Sequence, residues 1–231
     1  MMANVGAIFQ KQMKDTLKHK EILIQFVMFP VMAIIMERAI QVEELPKHFF
    51  ADMFSAMYIG MAPLVSIAAV IAEEKEKNTL RVLMMSGVKP WEYLLAVGGY
   101  IWCFCMAGAL VLGTAGERKG RGLAVFLAVM AVGILASLLI GAAIGTISRN
   151  QMMATSLTVP VMLVFSFLPM LAAFNDTIKK VARAAYSQQI NLLIGQAENF
   201  SVSFENVFVI FVNMLAGLLL FCHAYKKSGL A

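Results

Sequence analysis

The side chains best able to carry chemistry are concentrated in one short tract of this 231-residue chain, Glu73–Arg81. Six of its nine residues are charged, whereas charged residues make up 14% of the whole chain. Long uncharged runs flank the tract on both sides, Met53–Ala72 before it and Tyr93–Gly113 after it. Within the tract, Glu73 and Lys77 have the spacing of a favourable ion pair on a helix. The tract is therefore the first candidate for a functional site.

The remaining reactive side chains are too scattered to form a second site. Cys103 and Cys105 would point about 200° apart on a helix, so they cannot form a disulfide with each other. With Cys222, they are expected to fill space in apolar helices. No spacing of cysteines or histidines matches a metal-ligand pattern. The sequence therefore predicts no metal site and no catalytic residues, and intramembrane protease chemistry is disfavoured.

The composition places the tract in a membrane protein. Hydrophobic residues make up 60% of the chain and the mean hydropathy is +0.77, whereas a soluble domain has roughly a quarter of its residues charged. Uncharged runs long enough to cross a bilayer recur along the sequence. The net charge of +5 comes without a basic patch interleaved with aromatic residues. It therefore indicates contact with the lipid bilayer and no nucleic-acid partner.

The apolar runs predict an all-α integral membrane protein, a single transmembrane domain over residues 1–231. Six transmembrane helices are predicted, at about residues 22–42, 53–72, 91–113, 123–148, 152–174 and 204–224. The first is the weakest, because its fifteen uncharged residues, Ile22–Met36, reach only about 22 Å of a hydrocarbon core about 30 Å thick.

Two further segments have helical patterns outside the spans. Residues 5–20 predict an amphipathic interfacial helix, with an ordinary solvated tail as the alternative. Residues 175–200 predict short external or re-entrant helices. Six spans place both termini on one side, and eleven basic residues fall on that side against eight on the other. With the basic N-terminal helix, this bias predicts a multi-pass protein of the cell membrane with cytoplasmic termini.

The span interiors limit the kinds of transport that are possible. Spans two to six contain essentially no ionisable residues in their interiors. A charge at a helix centre costs about 2.5–3.5 kcal/mol, so proteins that move protons or sodium keep such residues because their mechanism requires them. An ion-coupled transporter is therefore disfavoured. If the chain moves a substrate, the energy is expected to enter outside the spans.

Small residues recur every four positions in the fourth span: Gly133, Ser137, Gly141 and Gly145. This spacing keeps them on one helix face, where two backbones can approach closely. The stripe predicts helix packing, either within one bundle or between subunits.

The charged tract itself is predicted to start a short helix over residues 73–85. Its three glutamates would occupy the first turn, where the helix dipole favours negative charge. An apolar tip would be formed by Leu80, Leu83 and Met84. Ser86-Gly87 would end this helix, and Pro90 would begin the next. Such a helix between two spans suits docking into a groove on a soluble partner, whereas the alternative is a solvated loop.

The tract resembles the signature that follows the second span in permease subunits of type-2 ATP-binding-cassette exporters. In that family an acidic segment precedes Gly-Thr-Leu, a leucine pair, a small-residue turn and an acidic restart. The residues that match in order are Glu73, Glu74, Thr79, Leu80, Leu83, Ser86 and Glu92. Asn78 stands where the family usually has glycine, and asparagine also tolerates left-handed conformations. The six-span layout resembles the family over nearly the whole chain.

The resemblance implies a permease subunit without an ATPase of its own, and the chain contains no GxxxxGK[ST] phosphate-binding loop. ATP and Mg²⁺ would be bound by a separate ATP-binding-cassette ATPase, two copies of which would join two permease copies, as a homodimer with its interface at the first and fifth spans. Residues 73–85 would be the coupling helix, with the ATPase-coupling residues Glu73, Glu74, Thr79, Leu80, Leu83 and Met84. This chain would hold no cofactor.

The substrate is the least specified feature. The spans are rich in methionine and phenylalanine, which suits an amphipathic or lipophilic cargo such as an antimicrobial or toxin peptide or a drug. The family resemblance adds export from a bacterial cell. The alternative is a membrane immunity or sensor protein that binds a peptide without transporting it.

Overall fold

The computed structural model of the chain is built from α-helices and describes residues 6, 8–13, 20–40, 48–197 and 203–227. No strand occurs among these residues, and residues 8–13 are helical. The longer helical elements that follow are α1 Lys20–Ala39, α2 Phe49–Glu76, α3 Thr79–Met85, α4 Pro90–Ala115, α5 Gly120–Ile147, α6 Gln151–Phe174, α7 Asp176–Ala182, α8 Tyr186–Gly195 and α9 Phe204–Lys227. The predicted all-α class is confirmed.

Within the described part of the chain, five helices are long and apolar enough to cross a membrane: α2, α4, α5, α6 and α9. They contain 24–28 residues each, which corresponds to about 36–42 Å, more than the hydrocarbon core of about 30 Å. The chain is therefore a multi-pass membrane protein. The count of six spans stays a prediction, because α1 is not among these five.

Helix α1 corresponds to the predicted first span. It ends at Ala39 after 20 residues, and part of the predicted extension to residue 42 lies outside the described residues. The Glu37 carboxylate accepts a hydrogen bond from the Ala51 backbone N–H at 3.0 Å, so the end of α1 is fastened to the first turn of α2. Phe26 and Phe29 are buried on the side of α1 that packs against α2 and α4.

Helix α2 lies at the centre of the bundle, in contact with α1, α4, α5, α6 and α8. In its most apolar stretch 78% of the residues are buried, against 17–44% in the other four long helices. The outer helices therefore present much of their apolar surface to the surroundings, as contact with lipid requires.

The small-residue stripe of α5, residues Gly133, Ser137, Gly141 and Gly145, lies against α2. A Cβ atom at Gly141 would stand 2.3 Å from the Leu64 carbonyl oxygen. The Ser137 hydroxyl donates to the Ile59 carbonyl at 2.6 Å, which satisfies a polar group inside the seam. The two backbones are thus in close contact, and the stripe faces the interior of this chain.

The helix ends form two opposite layers. The layer that we call the α3 end contains α3, the ends of α2, α5 and α9, and the starts of α4 and α6. The layer that we call the α8 end contains α7, α8, the start of α2 and the turn between α4 and α5. The described N-terminal segment lies at the α3 end, where Lys11 and Gln12 contact α2.

Residues 176–195 form the helix pair α7 and α8, in the segment for which external or re-entrant helices were predicted; residues 198–200 lie outside the described residues. Asn175 begins α7 as its N-cap, with its side chain accepting from the Thr177 and Ile178 N–H groups. Helix α8 packs against α2, α5, α6 and α9, and its fully buried Tyr186 hydroxyl lies 2.8 Å from the Ser137 hydroxyl. Helix α8 is therefore part of the packed bundle.

Candidate functional site

The charged tract lies at the α3 end, and its backbone differs from the prediction. Helix α2 continues through Glu76 and α3 begins only at Thr79, so residues 73–85 are not one helix. The three glutamates lie in the last turns of α2, where the helix dipole disfavours negative charge. The reason is that glutamate and lysine are good helix formers, so the onset of charge does not end a helix.

Asn78 separates the two helices. Its backbone is left-handed, with φ 58° and ψ 8°, and it directly precedes α3. Glycine adopts this conformation most easily, and asparagine is the non-glycine residue that tolerates it best. The departure from the family pattern at this position is therefore compatible with the turn that the chain makes.

Replacing Asn78 with alanine is expected to destabilise the protein by about 1 kcal/mol, because a Cβ without a local hydrogen-bonding group is strained in this region. Asn78→Gly is the matched control and is expected to leave the stability unchanged or slightly higher. Thermal unfolding of both variants in detergent measures the difference. Equal midpoints for the two variants would show that the left-handed turn does not matter for stability.

Glu74 ties the N-terminal segment to the tract. Its side chain is buried and accepts hydrogen bonds from the Gln12 amide and, at 3.3 Å, from the Lys11 ammonium. The Thr79 hydroxyl donates to the Glu74 carbonyl at 3.1 Å, which spans the break between α2 and α3. The sequence offered no signal for the contacts with Lys11 and Gln12, since these residues lie more than sixty positions away.

The other charges of the tract fasten neighbouring helices. Glu73 forms the ion pair with Lys77 that the sequence predicted. Glu76 accepts a hydrogen bond at 2.9 Å from the Gln151 backbone N–H, which is an unsatisfied group at the start of α6. All three carboxylates of the tract therefore have partners within this chain.

The apolar side chains of α3 also point elsewhere than predicted. Leu80 is buried, and Leu83 and Met84 are partly buried against the core, so they are not an exposed tip. The Tyr225 hydroxyl contacts the Met84 sulfur at 3.6 Å, which connects α3 to the end of α9. Because both ends of this short helix are held by long helices, its large aliphatic residues pack onto the bundle.

The exposed side of α3 consists of Arg81, Val82 and Met85, which we call the outer face. Val82 is 62% exposed and Met85 is 80% exposed, and the spacing of the three residues places them on one side of the helix. Sequence reasoning missed this face because it chose the larger aliphatic cluster.

The start of α4 is fixed by its own cap. Pro90 is the first residue of α4, as predicted, and the buried Glu92 carboxylate accepts from the Lys89 N–H at 3.1 Å. This is one half of a capping box. Helix α3 therefore lies between two well-defined helix ends, Glu76 of α2 and Pro90 of α4.

At the α8 end, sequence reasoning missed a buried ion pair. Arg118 is 7% exposed, and its guanidinium donates to the Asp52 carboxylate and, at 3.3 Å, to the Ile194 carbonyl. It also lies 4.6 Å from the centre of the Phe126 ring. The sequence signal that could have indicated this ion pair was the position of Asp52 at the edge of a long apolar run. Among the described residues, no group of three or more histidine, cysteine or acidic side chains could hold a metal ion.

A comparison with known protein families finds a match over nearly the whole chain. The family described as "ABC-2 family transporter protein" matches residues 2–221. This range includes the charged tract, α3 and every long helix except the last six residues of α9. No curated protein matches the chain at a significant level.

Proposed function

This chain belongs to the ABC-2 family of transporter proteins, whose members are permease components of ABC transporters, and we propose that it is the membrane subunit of an ATP-driven exporter. A separate ABC ATPase would bind ATP and Mg²⁺, since the chain has no GxxxxGK[ST] loop. Two permease copies, as a homodimer, would join two ATPases in a bacterial cell membrane, with both termini in the cytoplasm.

The observation that supports this proposal is the outer face of α3. Val82 and Met85 are large apolar side chains exposed on a short helix at the end of the bundle, next to the charged tract. Exposed apolar residues in such a place favour a protein partner. Arg81 adds a positive charge next to them. We assign the docking of the ATPase to this face.

The residues predicted to couple the ATPase would not contact it in this proposal but would hold α3 and the end of α2 in place. Leu80, Leu83 and Met84 anchor α3 to the bundle, and Glu73, Glu74 and Thr79 hold the end of α2 in place. A movement of the docked ATPase would therefore be transmitted to α2 without being absorbed by a loose connection. Because α2 and α5 are in backbone contact, they would move as one unit between inward-facing and outward-facing states.

The proposed cargo is amphipathic or lipophilic, such as an antimicrobial or toxin peptide or a drug. Two cavities of about 310 and 360 Å³ on the sides of the bundle are lined by apolar residues. Neither has a charged side chain among its lining residues. Surfaces of this kind would bind apolar groups and would offer little to a sugar or an ion.

The dimer interface is proposed at α1 and α6. Helix α6 has only 22% of its most apolar stretch buried, and α1 exposes Ile24, Val27 and Ile35 on one side. These faces leave room for a second copy as well as for lipid. The glycine stripe of α5 is occupied by α2 and would not contribute.

Replacing Val82 with aspartate is expected to abolish the ATPase interaction. A carboxylate without a partner in an apolar contact costs several kcal/mol, so co-purification of the proposed partner ATPase should fall at least about tenfold, together with its stimulated activity. Val181→Asp is the matched control, since Val181 is 68% exposed on α7 at the other end and its replacement is expected to change neither.

Unchanged co-purification and unchanged stimulated activity in the Val82→Asp variant would show that the outer face is not the docking surface. Substitution of Leu80 with aspartate would not test the same point. Leu80 is 3% exposed, so this change would disrupt the packing of α3 whatever binds there.

A further inference from the structure

A cavity of about 650 Å³ opens at the α3 end, where α2 and α5 end, α6 begins and α9 ends. Four of its lining residues are basic: Lys75, Arg149, His223 and Lys227. The others are Thr146, Ile147, Met153 and Ala224, so no acidic side chain is among the lining residues that the structure describes. Its volume falls within the range of small-ligand sites, roughly 300–1,000 Å³.

The positive charge of this cavity is not neutralised by the part of the chain that the structure describes, since none of the four basic residues forms an ion pair there. The Lys75 ammonium donates to the Thr146 carbonyl at 2.5 Å, but a carbonyl is neutral. The nearby Glu76 carboxylate accepts from the first N–H of α6 and is not among the residues that line the cavity. Several like charges around one cavity repel each other unless an anion joins them.

Helix dipoles account for only part of this arrangement. Lys75 lies in the last turn of α2, and Lys227 lies in the last turn of α9, where positive charge is favourable. Arg149 instead precedes the first residues of α6, at a helix start where positive charge is unfavourable. The Glu76 carboxylate supplies one negative charge at the start of α6, against the four basic residues that line the cavity.

The surroundings of the cavity indicate a lipid. Ile147 is 50% exposed, and the apolar side chains of Ile147 and Met153 line the cavity together with the basic ones. The exposed apolar sides of α6 and α9 continue away from this end. A ligand with a negative headgroup and apolar chains would match both parts, whereas a small inorganic anion would match only the first. Basic pockets between transmembrane helices suit anionic headgroups.

We propose that this cavity binds the phosphate group of an anionic phospholipid, with the acyl chains along α6 and α9. The site is distinct from the outer face of α3, and it does not depend on the exporter proposal. Bound lipid would join the ends of α2, α5, α6 and α9 through one negative charge.

The test measures lipid binding to the purified full chain in a neutral detergent by native mass spectrometry. The probes are phosphatidylglycerol, phosphatidylcholine and inorganic phosphate. Phosphatidylglycerol is expected to bind more tightly than zwitterionic phosphatidylcholine. In the variant Arg149→Gln plus Lys227→Gln, its affinity is expected to fall about tenfold or more, because each basic group near an anionic headgroup contributes substantially.

The matched control is Lys89→Gln plus Lys226→Gln, which removes the same charge from the same end but from outside the cavity. It is expected to keep the affinity of the unmodified chain. Arg149→Lys retains the charge and is expected to keep most of the binding, which separates a binding effect from a folding defect. Equal losses in the two double variants would overturn the proposal in favour of general attraction. Displacement of the lipid by inorganic phosphate at similar concentrations would overturn it in favour of a small-anion site.

Discussion

Replacing Arg118 with methionine is expected to destabilise the folded chain by about 3–5 kcal/mol, because it removes one partner of a buried ion pair. The Arg118 side chain is 3% exposed and that of Asp52 is 19% exposed, so the remaining carboxylate would be largely shielded from water. Methionine has a long side chain of its own, so most of the loss comes from the charge and little from packing. The turn between α4 and α5 would also lose its connection to α8 through the Ile194 carbonyl.

The stability of this variant is measured through Cys105. This residue is fully buried, whereas Cys103 and Cys222 are exposed, so replacing the exposed two with serine leaves one thiol that reacts with a fluorescent reagent only on unfolding. The expected result is a clearly lower midpoint for Arg118→Met. Adding Asp52→Asn to the Arg118→Met variant should recover much of the lost stability, since no buried charge then remains. Equal midpoints for the single and double variants would show that the unpaired Asp52 carboxylate is not the source of the loss.

Replacing Gly141 with alanine is expected to lower the free energy of unfolding by about 1–3 kcal/mol or more. The added Cβ would stand 2.3 Å from the Leu64 carbonyl oxygen and 2.6 Å from a methyl carbon of Ile67. The first contact is with backbone, so no rotation of a side chain relieves it and α5 must move away from α2. Every close contact along the seam weakens as a result.

The same thiol assay measures this effect. Gly98→Ala in α4 is the matched control, because a Cβ there would meet nothing within 4 Å and alanine favours a helix more than glycine does. It is expected to unfold at the same temperature or slightly higher. A Gly141→Ala midpoint as high as that of Gly98→Ala would show that the α2–α5 seam can open at little cost. In the proposed exporter, Gly141→Ala should also weaken the link between ATP hydrolysis and transport.

Much of the fold could be predicted from the sequence, because membrane insertion depends on the hydropathy of each segment taken alone. The long apolar runs correspond to α2, α4, α5, α6 and α9. The end of α3 at Ser86-Gly87 and the start of α4 at Pro90 could also be predicted, because turn residues and proline restrict the backbone at their own positions. Asn78, by contrast, was predicted to lie inside one helix over residues 73–85, and its left-handed backbone separates two helices instead.

The candidate site was predicted in position but not in detail. The tract at the end of the second span was found because charge there contrasts with its neighbours. The start of the short helix was wrong, since good helix formers carried α2 past the last apolar residue to Glu76. The prediction of which side of α3 is exposed was also wrong. Local spacing shows which residues share a helix face, but it does not show which face packs against the bundle.

The sequence by itself determined that this chain is an α-helical membrane protein, with one charged tract between two long apolar helices and a stripe of small residues. Each of these is a property of neighbouring residues and follows from hydropathy and helix periodicity. Only the tertiary structure decided what those features touch. Glu74 meets Lys11 and Gln12, Arg118 meets Asp52, and four basic residues from three helix ends line one cavity. Such contacts join residues far apart in the chain, and they are set by how whole helices pack.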